Sequence, residues 1–500
     1  MALAGSATLQ AGMGSVFIMI VSLVIVVLMI TWLKINPVYS MLVGAIGAGI
    51  AFGLPLSNVI LRPAITEVVG HLPDGTEVIG TIPAVVQHGV IQTVVQGFGA
   101  TIGNIGIVIL LGCTIGVILD QTGGALVLAN SMLRLVGPRN ASLAMMFSGY
   151  LVSIPVFSDT AIVIMAPVAR TVSARSGAPL IACLGALNAG IMATHTIVPP
   201  TPGPLAAAGT LGVDLGRMII LGLLVALAYS VVAWIWCATF CAKKFPRAEV
   251  MEGIEPLPKG KKLTAEDLMI KTDRRLPSTF MAYASLLVPI LLICLNSFGT
   301  ISIGGRPPLI PAHWHAFSGF IGHPIVALGI GVLVAFGLDP SALSKEQIGK
   351  WFNKSVDTSA FIILATGTAG SYGFILRVSG VGEFMGHGIA NTGLPVVFIP
   401  FFVTLLLVLS NGSATVSLIT GSAIMYPLLP FLGLPPVIVA LALTAGASFF
   451  YHVNASHYWV VVRSANLSMK EGFFNVSGGT AIGSIGAMIC VFILSLFVTV

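Results

Sequence analysis

The chain predicts an all-α, polytopic membrane protein of about 12–14 transmembrane or re-entrant segments in two inverted-topology repeats. Three observations carry that expectation. Of 500 residues, 56% are hydrophobic and 8% charged, against roughly 25% charged in an ordinary soluble domain. Apolar runs recur from end to end, with a mean hydropathy of +1.02. Short stretches of the first half also return, in the same order, in the second.

The first apolar run, Val16 to Leu33, ends in Trp32-Leu33-Lys34 and approaches the roughly 20 residues that span a bilayer as a helix. A cleaved signal peptide fits it poorly: the basic residue follows the run, and no small-residue cleavage site comes next. Further apolar segments are expected at 38–54, 94–119, 141–157, 160–173, 178–198, 217–241, 280–297, 321–337, 358–378, 395–410, 414–432, 434–452 and 480–499. Several are too short to cross alone and suit half-helices or re-entrant hairpins. The 57 glycines and 29 prolines fit broken helices.

The one long charged stretch, from Cys241 to Pro277, divides the chain into a first repeat (1–241), a cytoplasmic linker (242–279) and a second repeat (280–500). Its lysines and arginines predict a cytoplasmic position, as do Lys34, the Arg134–Arg139 loop and the 339–357 loop. The 55–92 loop has one arginine and no lysine and reads as external. The termini are then outside and the centre inside. The net charge of +6 sets orientation in such a chain and does not imply nucleic acid. None of the six cysteines forms a CxxC pair, so neither a zinc site nor a disulfide framework is expected.

The repeats rest on three matches. GVILDQTGG (116–124) resembles GFILRVSGV (373–381), SDTAIVI (158–164) resembles SATVSLI (413–419), and LNAGIMATH (187–195) resembles LTAGASFFY (443–451). The offsets of 257, 255 and 256 positions keep one register. Loop charges place the matched segments in opposite orientations, with the binding site expected where the repeats meet.

An ionisable group in a membrane segment marks a functional site by default. Asp159, in IPVFSDTAIVIMAP (154–167), is the leading candidate. Pro155 frees backbone groups, and Ser153, Ser158 and Thr160 can re-satisfy them. A carboxylate at such a break can carry a proton or sodium; the structural alternative is that Asp159 caps a helix starting near Thr160. In THTIVPPTPGPLAAAGTLGVDLG (194–216), the prolines predict unwound backbone, with Thr201 and Gly203 offered to a polar substrate and His195 as a proton relay. In LSNGSATVSLITGSA (409–423), Asn411, Ser413 and Thr415 suit oxygen ligands, although small polar residues also pack helices. In GASFFYHVNASHYWVVVR (446–463), His452, Asn454, Ser456 and His457 precede an aromatic pair, and an interfacial belt is the alternative. Asp120 and Arg377 read as helix-end charges. No Walker loop, zinc-protease helix or GxSxG elbow is present, so neither ATP-driven pumping nor an enzyme is indicated.

These stretches, in this order, resemble the gluconate permease (gluconate:proton symporter) family of the ion transporter superfamily. The likeness spans nearly the whole chain, through GVILDQTGGA, IPVFSDTAIVIMAP, HTIVPPTPGPLAAAGTLGVDLG, NGSATVSLITG and HVNASHYWVV. It implies a multi-pass protein of the bacterial inner membrane that imports a small hydroxylated monocarboxylate with a proton. No cofactor beyond the proton gradient is implied, and the oligomer is a monomer or a homodimer. Asp159 matches the family's membrane carboxylate, His195 and Pro199–Pro204 the HxxxPPxPGP element, Ser413 to Thr415 the GSATV element, and His452 to Asn454 the HVN element.

The chain also departs from the family pattern. Thr201 stands where PPHPGP has His, Ala455 where Asp follows HVN, and His457 where Gly precedes the aromatic-Trp pair. Gly373 and Val408 stand where the family has lysine and arginine. Fewer polar side chains put a shorter acid such as 3-hydroxybutyrate on an equal footing with gluconate and make sodium the alternative coupling ion. The expected function is proton-coupled symport, with Asp159 and His195 carrying the proton. Ser158, Thr160, Thr201, Gly203, Asn411, Ser413, Thr415, His452 and Asn454 are expected to hold the substrate. A passive organic-anion channel or exchanger is the rival.

Overall fold

The computed structural model describes residues 13–62, 65–71, 77–82, 85–137, 140–246, 264, 275–299, 310–339, 343–381, 395–453 and 455–498. Most of the expected 242–279 linker and Asn454 lie outside the described residues.

The chain is overwhelmingly helical. Helices α1 (Met13–Thr31), α2 (Pro37–Ala51), α3 (Val90–Gln121), α4 (Gly124–Val136), α5 (Ala141–Val152) and α6 (Ser158–Ser176) come first. They are followed by α7 (Leu180–Ile197), α8 (Pro202–Leu211) and α9 (Leu215–Ile235), the last extended by a π-helical turn over Trp236–Cys241. Next come α10 (Thr279–Gly299), α11 (His315–Ile321), α12 (Pro324–Phe336) and α13 (Lys345–Val378). Last are α14 (Phe398–Asn411), α15 (Ala414–Met425), α16 (Pro436–Ala447), α17 (Ser456–Ser464), α18 (Met469–Gly472) and α19 (Gly478–Ser495).

Among the described residues, eight helical stretches are long and apolar enough to cross a membrane, or up to nine if α11 and α12, bent by 58°, form one span. Five shorter apolar helices, α2, α4, α5, α14 and α16, accompany them. This is the polytopic helical architecture that composition predicts, with half-length elements where the apolar runs were short.

Within the 55–92 loop the backbone is not featureless. Strand β1 (Val59–Arg62) pairs with β4 (Val85–Gln87), and β2 (Ile65–His71) with β3 (Glu77–Ile82), both antiparallel. The β-branched residues of ITEVVGH and EVIGTI favour extended pairing.

Contacts divide the chain into two compact units. One comprises Met1–Thr101, Ala365–Gly393 and Ala423–Leu432. Its core joins Met41, Ala45 and Ala48 of α2 to Tyr372, Ile375 and Leu376 of α13. The Tyr372 hydroxyl meets Ser22 Oγ at 2.8 Å, so the phenol is satisfied inside that core.

The other unit comprises Ile102–Leu364, Leu394–Ser422 and Gly433–Val500. Every residue of α7 is buried, as is every residue of α16 after its first. An all-round apolar helix must be enclosed by others, and here glycine permits the enclosure. A Cβ on Gly190 of α7 would lie 2.0 Å from the Met146 carbonyl oxygen of α5. A Cβ on Gly446 of α16 would lie 2.0 Å from the Phe401 carbonyl oxygen of α14. Each pair of helices therefore touches backbone to backbone.

Candidate transport site

Two interrupted helices set up the site. Helix α5 stops at Val152 and α6 begins at Ser158. Pro155 occupies the gap, and Ser153 Oγ donates to the Val156 carbonyl at 2.9 Å, satisfying backbone that no helix serves. Phe157, in extended conformation, stands at the cap position without a side-chain cap, and its carbonyl accepts from Ala161 N. Asp159 is thus inside the first turn and is not the cap of a helix starting near Thr160: the helix begins earlier, and the carboxylate is turned elsewhere.

The second interruption lies between α14 and α15. Gly412 ends α14 in the left-handed conformation (φ 72°), which glycine adopts without a Cβ clash. Asn411 Oδ1 accepts from Ser413 N at 2.7 Å, and its Nδ2 donates to Ser417 Oγ at 3.1 Å. This amide closes the turn. Ser413 Oγ accepts from Val416 N at 3.4 Å at the start of α15.

Both helix starts border one cavity of about 190 Å³. Ser158 and Asp159 line it from α6, His195 and Met192 from α7, and Ser413 and Thr415 from the start of α15. Tyr451, Ser456 and His457 complete the polar wall. The volume lies below the roughly 300–1,000 Å³ usual for drug-sized ligands and suits a small solute. The positive dipole ends of two helices favour an anion there.

Asp159 holds the centre. Its Oδ1 lies 2.9 Å from His457 Nδ1, and its Oδ2 accepts from Ser456 Oγ at 3.3 Å. His457 Nε2 lies 2.7 Å from Asn188 Oδ1 of α7. The His457 side chain is 4% exposed and that of Asp159 45%, so the carboxylate faces the cavity while the imidazole is enclosed. His195 is buried, its ring 5.9 Å from Phe157, and its Nδ1 has no hydrogen-bond partner among the described residues. Among the described residues, no group of three or more His, Cys, Asp or Glu is placed to hold a metal ion.

Of the residues expected from sequence, Ser158, Asp159, His195, Ser413 and Thr415 come together at the cavity. Thr160 sits in the same turn of α6 but is not part of the lining. Thr201 is buried and donates to the Val198 carbonyl at 2.5 Å, closing the break between α7 and α8. That break is shorter than the prolines predict. Pro202 and Pro204 sit in the first turn of α8, where the N–H that proline lacks has no helical partner anyway. Gly203 packs against α15, where a Cβ would lie 2.8 Å from Leu418 Cδ1 and 3.4 Å from Thr415 Cα. His452 Nε2 faces the Leu409 carbonyl at 3.3 Å. Asn454 lies outside the described residues.

Two residues that the motifs did not single out join the site, Asn188 and Tyr451, and so do Ser456 and His457, which the 446–463 stretch offered without a binding role. Asn188 and Tyr451 stand in the repeat-matched stretches 187–195 and 443–451, and the one amide side chain of a fully buried helix was the available signal.

A many-helix apolar chain whose broken helices converge on a small polar cavity defines a polytopic membrane permease. Residues 75–497 match the GntP family permease pattern. A permease of Haemophilus influenzae is 32% identical over 83% of this chain and 87% of its own length. The gluconate permease of Pseudomonas aeruginosa is 28% identical over 95% of this chain and 96% of its own. The solved structure of MtrF from Neisseria gonorrhoeae shares the fold, with a TM-score of 0.64 at 15% identity over 95% of this chain and 97% of that one.

The chain belongs to the GntP permease family. It is a transport protein, not an enzyme, and a multi-pass protein of the bacterial inner membrane.

Proposed function

We propose that this permease imports a small hydroxylated monocarboxylate, gluconate or a short hydroxy acid, together with a proton. The observation that carries the reading is the single carboxylate, Asp159, in a small cavity otherwise lined by hydroxyls, histidines and two helix starts. A substrate carboxylate finds donors at Ser158, Ser413, Thr415 and the first-turn amides. A bare Asp159 repels it, by about 4 kcal/mol at 4 Å for an effective dielectric constant near 20. One proton taken up with the substrate removes that repulsion, and its loss on the inner side releases both. His195, whose Nδ1 has no partner among the described residues, borders the same cavity and can pass the proton.

A matching order of elements in the two halves of the chain supports this placement. Each half holds a helix, a break, a second helix and a buried helix: α5, α6 and α7 in the first, α14, α15 and α16 in the second. Three sequence-matched pairs line the cavity: Ser158 with Ser413, Thr-bearing turn with Thr-bearing turn through Asp159 and Ala414, and His195 with Tyr451. The close-contact glycines, Gly190 and Gly446, are also matched, 256 positions apart. A site between two inverted repeats is the arrangement of secondary carriers.

The test is uptake of labelled D-gluconate and 3-hydroxybutyrate into proteoliposomes under an inward proton gradient, an inward sodium gradient, or neither. Accumulation driven by protons alone is expected. Accumulation driven by sodium alone replaces the coupling ion, and equilibration without accumulation makes the protein a passive exchanger.

A further inference from the structure

We propose that His457 carries the coupling proton, held as an imidazolium between Asp159 and Asn188, and that the Asn188 amide turns to follow the charge of the ring. The inference rests on the proton-coupled reading above and deepens it. It names the base, which motif spacing left unassigned.

The geometry is the argument. Both nitrogens of the enclosed ring face an oxygen: Nδ1 faces Asp159 Oδ1 at 2.9 Å, and Nε2 faces Asn188 Oδ1 at 2.7 Å. A neutral imidazole has one N–H and one lone pair, whereas the imidazolium has two N–H donors. Two acceptors therefore match the protonated ring. Water cannot replace a missing partner, since the His457 side chain is 4% exposed and a buried polar atom left unpaired is costly.

An amide presents oxygen or nitrogen in nearly the same shape. With the proton gone, a half-turn of Asn188 brings Nδ2–H to the Nε2 lone pair, while Nδ1–H stays on Asp159. The step balances. Loading breaks one O–H bond of a hydronium ion, admitted from the cavity as the Asn188 amide turns away from the ring, and forms one N–H bond at the Nε2 lone pair; unloading returns that proton to water by the same opening. The Asp159–His457 pair passes from a net charge of −1 to 0, which admits the anionic substrate beside it.

The other titratable groups around the ring are few. Asp159 faces it from α6 and His195 borders the same cavity from α7. The Tyr451 ring stands edge-on, 6.2 Å away. On α17 itself Arg463 is exposed, and on α18 Lys470 is exposed while Glu471 is engaged by Ser468 in a capping box. His452 is turned to the Leu409 carbonyl. Asp159 is thus the charged neighbour placed to stabilise the imidazolium.

Two readouts test the inference. In the purified full-length protein labelled with ¹⁵N-histidine, nuclear resonance from pH 5 to 8.5 reports each ring nitrogen, with His457→Gln or His457→Asn giving the assignment. Both nitrogens of His457 are expected to be protonated at the acid end, with Nε2 losing its proton towards the alkaline end. A ring that stays in one neutral tautomer throughout overturns the proposal, and this measurement needs no transported substrate.

In proteoliposomes, the ratio of D-gluconate or 3-hydroxybutyrate accumulated with and without a proton gradient is expected to fall to about one in His457→Gln, whatever its residual exchange rate. A wild-type ratio in that variant overturns the role of His457 alone. Failure of the wild-type protein to couple either acid to protons overturns the functional reading, and the resonance result then still decides the protonation of the ring.

Discussion

Asp159 and His457 meet at 2.9 Å although 298 positions separate them in the chain. The contact joins the first turn of α6 to the first turn of α17 and places the cavity's carboxylate against an enclosed base. Replacing Asp159 by Asn keeps the shape and removes the charge that balances an imidazolium. Asp159→Asn is expected to abolish accumulation driven by a proton gradient, measured as the ratio of labelled acid inside to outside proteoliposomes. Wild-type accumulation in this variant would contradict a coupling role for Asp159.

The hydroxyls at the start of α15 are expected to act on affinity. A single hydrogen bond contributes about 0.5–1.5 kcal/mol net, or roughly 2- to 12-fold in a binding constant. Ser413→Ala and Thr415→Ala should each raise the half-saturating substrate concentration by a factor in that range, with dependence on the proton gradient retained. Initial-rate uptake over a concentration series measures it, and unchanged half-saturation in both variants would remove α15 from the binding site.

Glycine placement makes a prediction about stability. Gly190→Ala and Gly446→Ala each put a methyl group 2.0 Å from a carbonyl oxygen of the neighbouring helix. Overpacking of this kind costs about 1–3 kcal/mol, sometimes more. Both variants should melt several degrees below wild type in detergent. Gly47 of α2, by contrast, has nothing within 4 Å of a built Cβ, and Gly47→Ala is expected to be neutral or to stabilise by up to about 1 kcal/mol. Equal melting of all three would mean that close approach does not set the packing.

Asn411 is expected to matter through the backbone. Its amide holds Ser413 N and Ser417 Oγ across the break, so Asn411→Ala should lower stability by about 1–2 kcal/mol. Thermal melting of the purified protein measures this. An unchanged melting temperature together with a strongly raised half-saturating concentration would instead place Asn411 in direct contact with substrate.

Much of this was legible in the sequence for physical reasons. A carboxylate in an apolar stretch beside proline and hydroxyls has few uses other than a broken helix at a polar cavity, and Asp159 lies at one. Composition fixed the helical class in the same way. The His457–Asn188 contact was not legible, because 269 positions separate the partners and only the packing of α17 beside α6 and α7 brings them together. Asn411 and Thr201 looked like ligands because turn-closing and substrate-binding polar groups use the same atoms; only hydrogen-bond partners tell them apart. The prolines of 202 and 204 overstated the break after α7, since the first turn of a helix tolerates them. The strands within 55–92 were overlooked because a charge-based reading of loops does not weigh β-branched alternation.

The backbone contacts at Gly190 and Gly446 bear on how such a protein moves. Two helices separated by side chains can creep past one another as rotamers exchange; two helices in main-chain contact have no such lubricating layer. A shift of one residue, about 1.5 Å along the axis, would drive a carbonyl of α5 or α14 into the chain beside it. The α5–α7 and α14–α16 pairs therefore behave as stiff staves. Flexing falls to the joints that carry no helix, at Ser153–Phe157 and Gly412–Ser413, and these joints lead straight into the first turns that carry Ser158, Asp159 and Thr415.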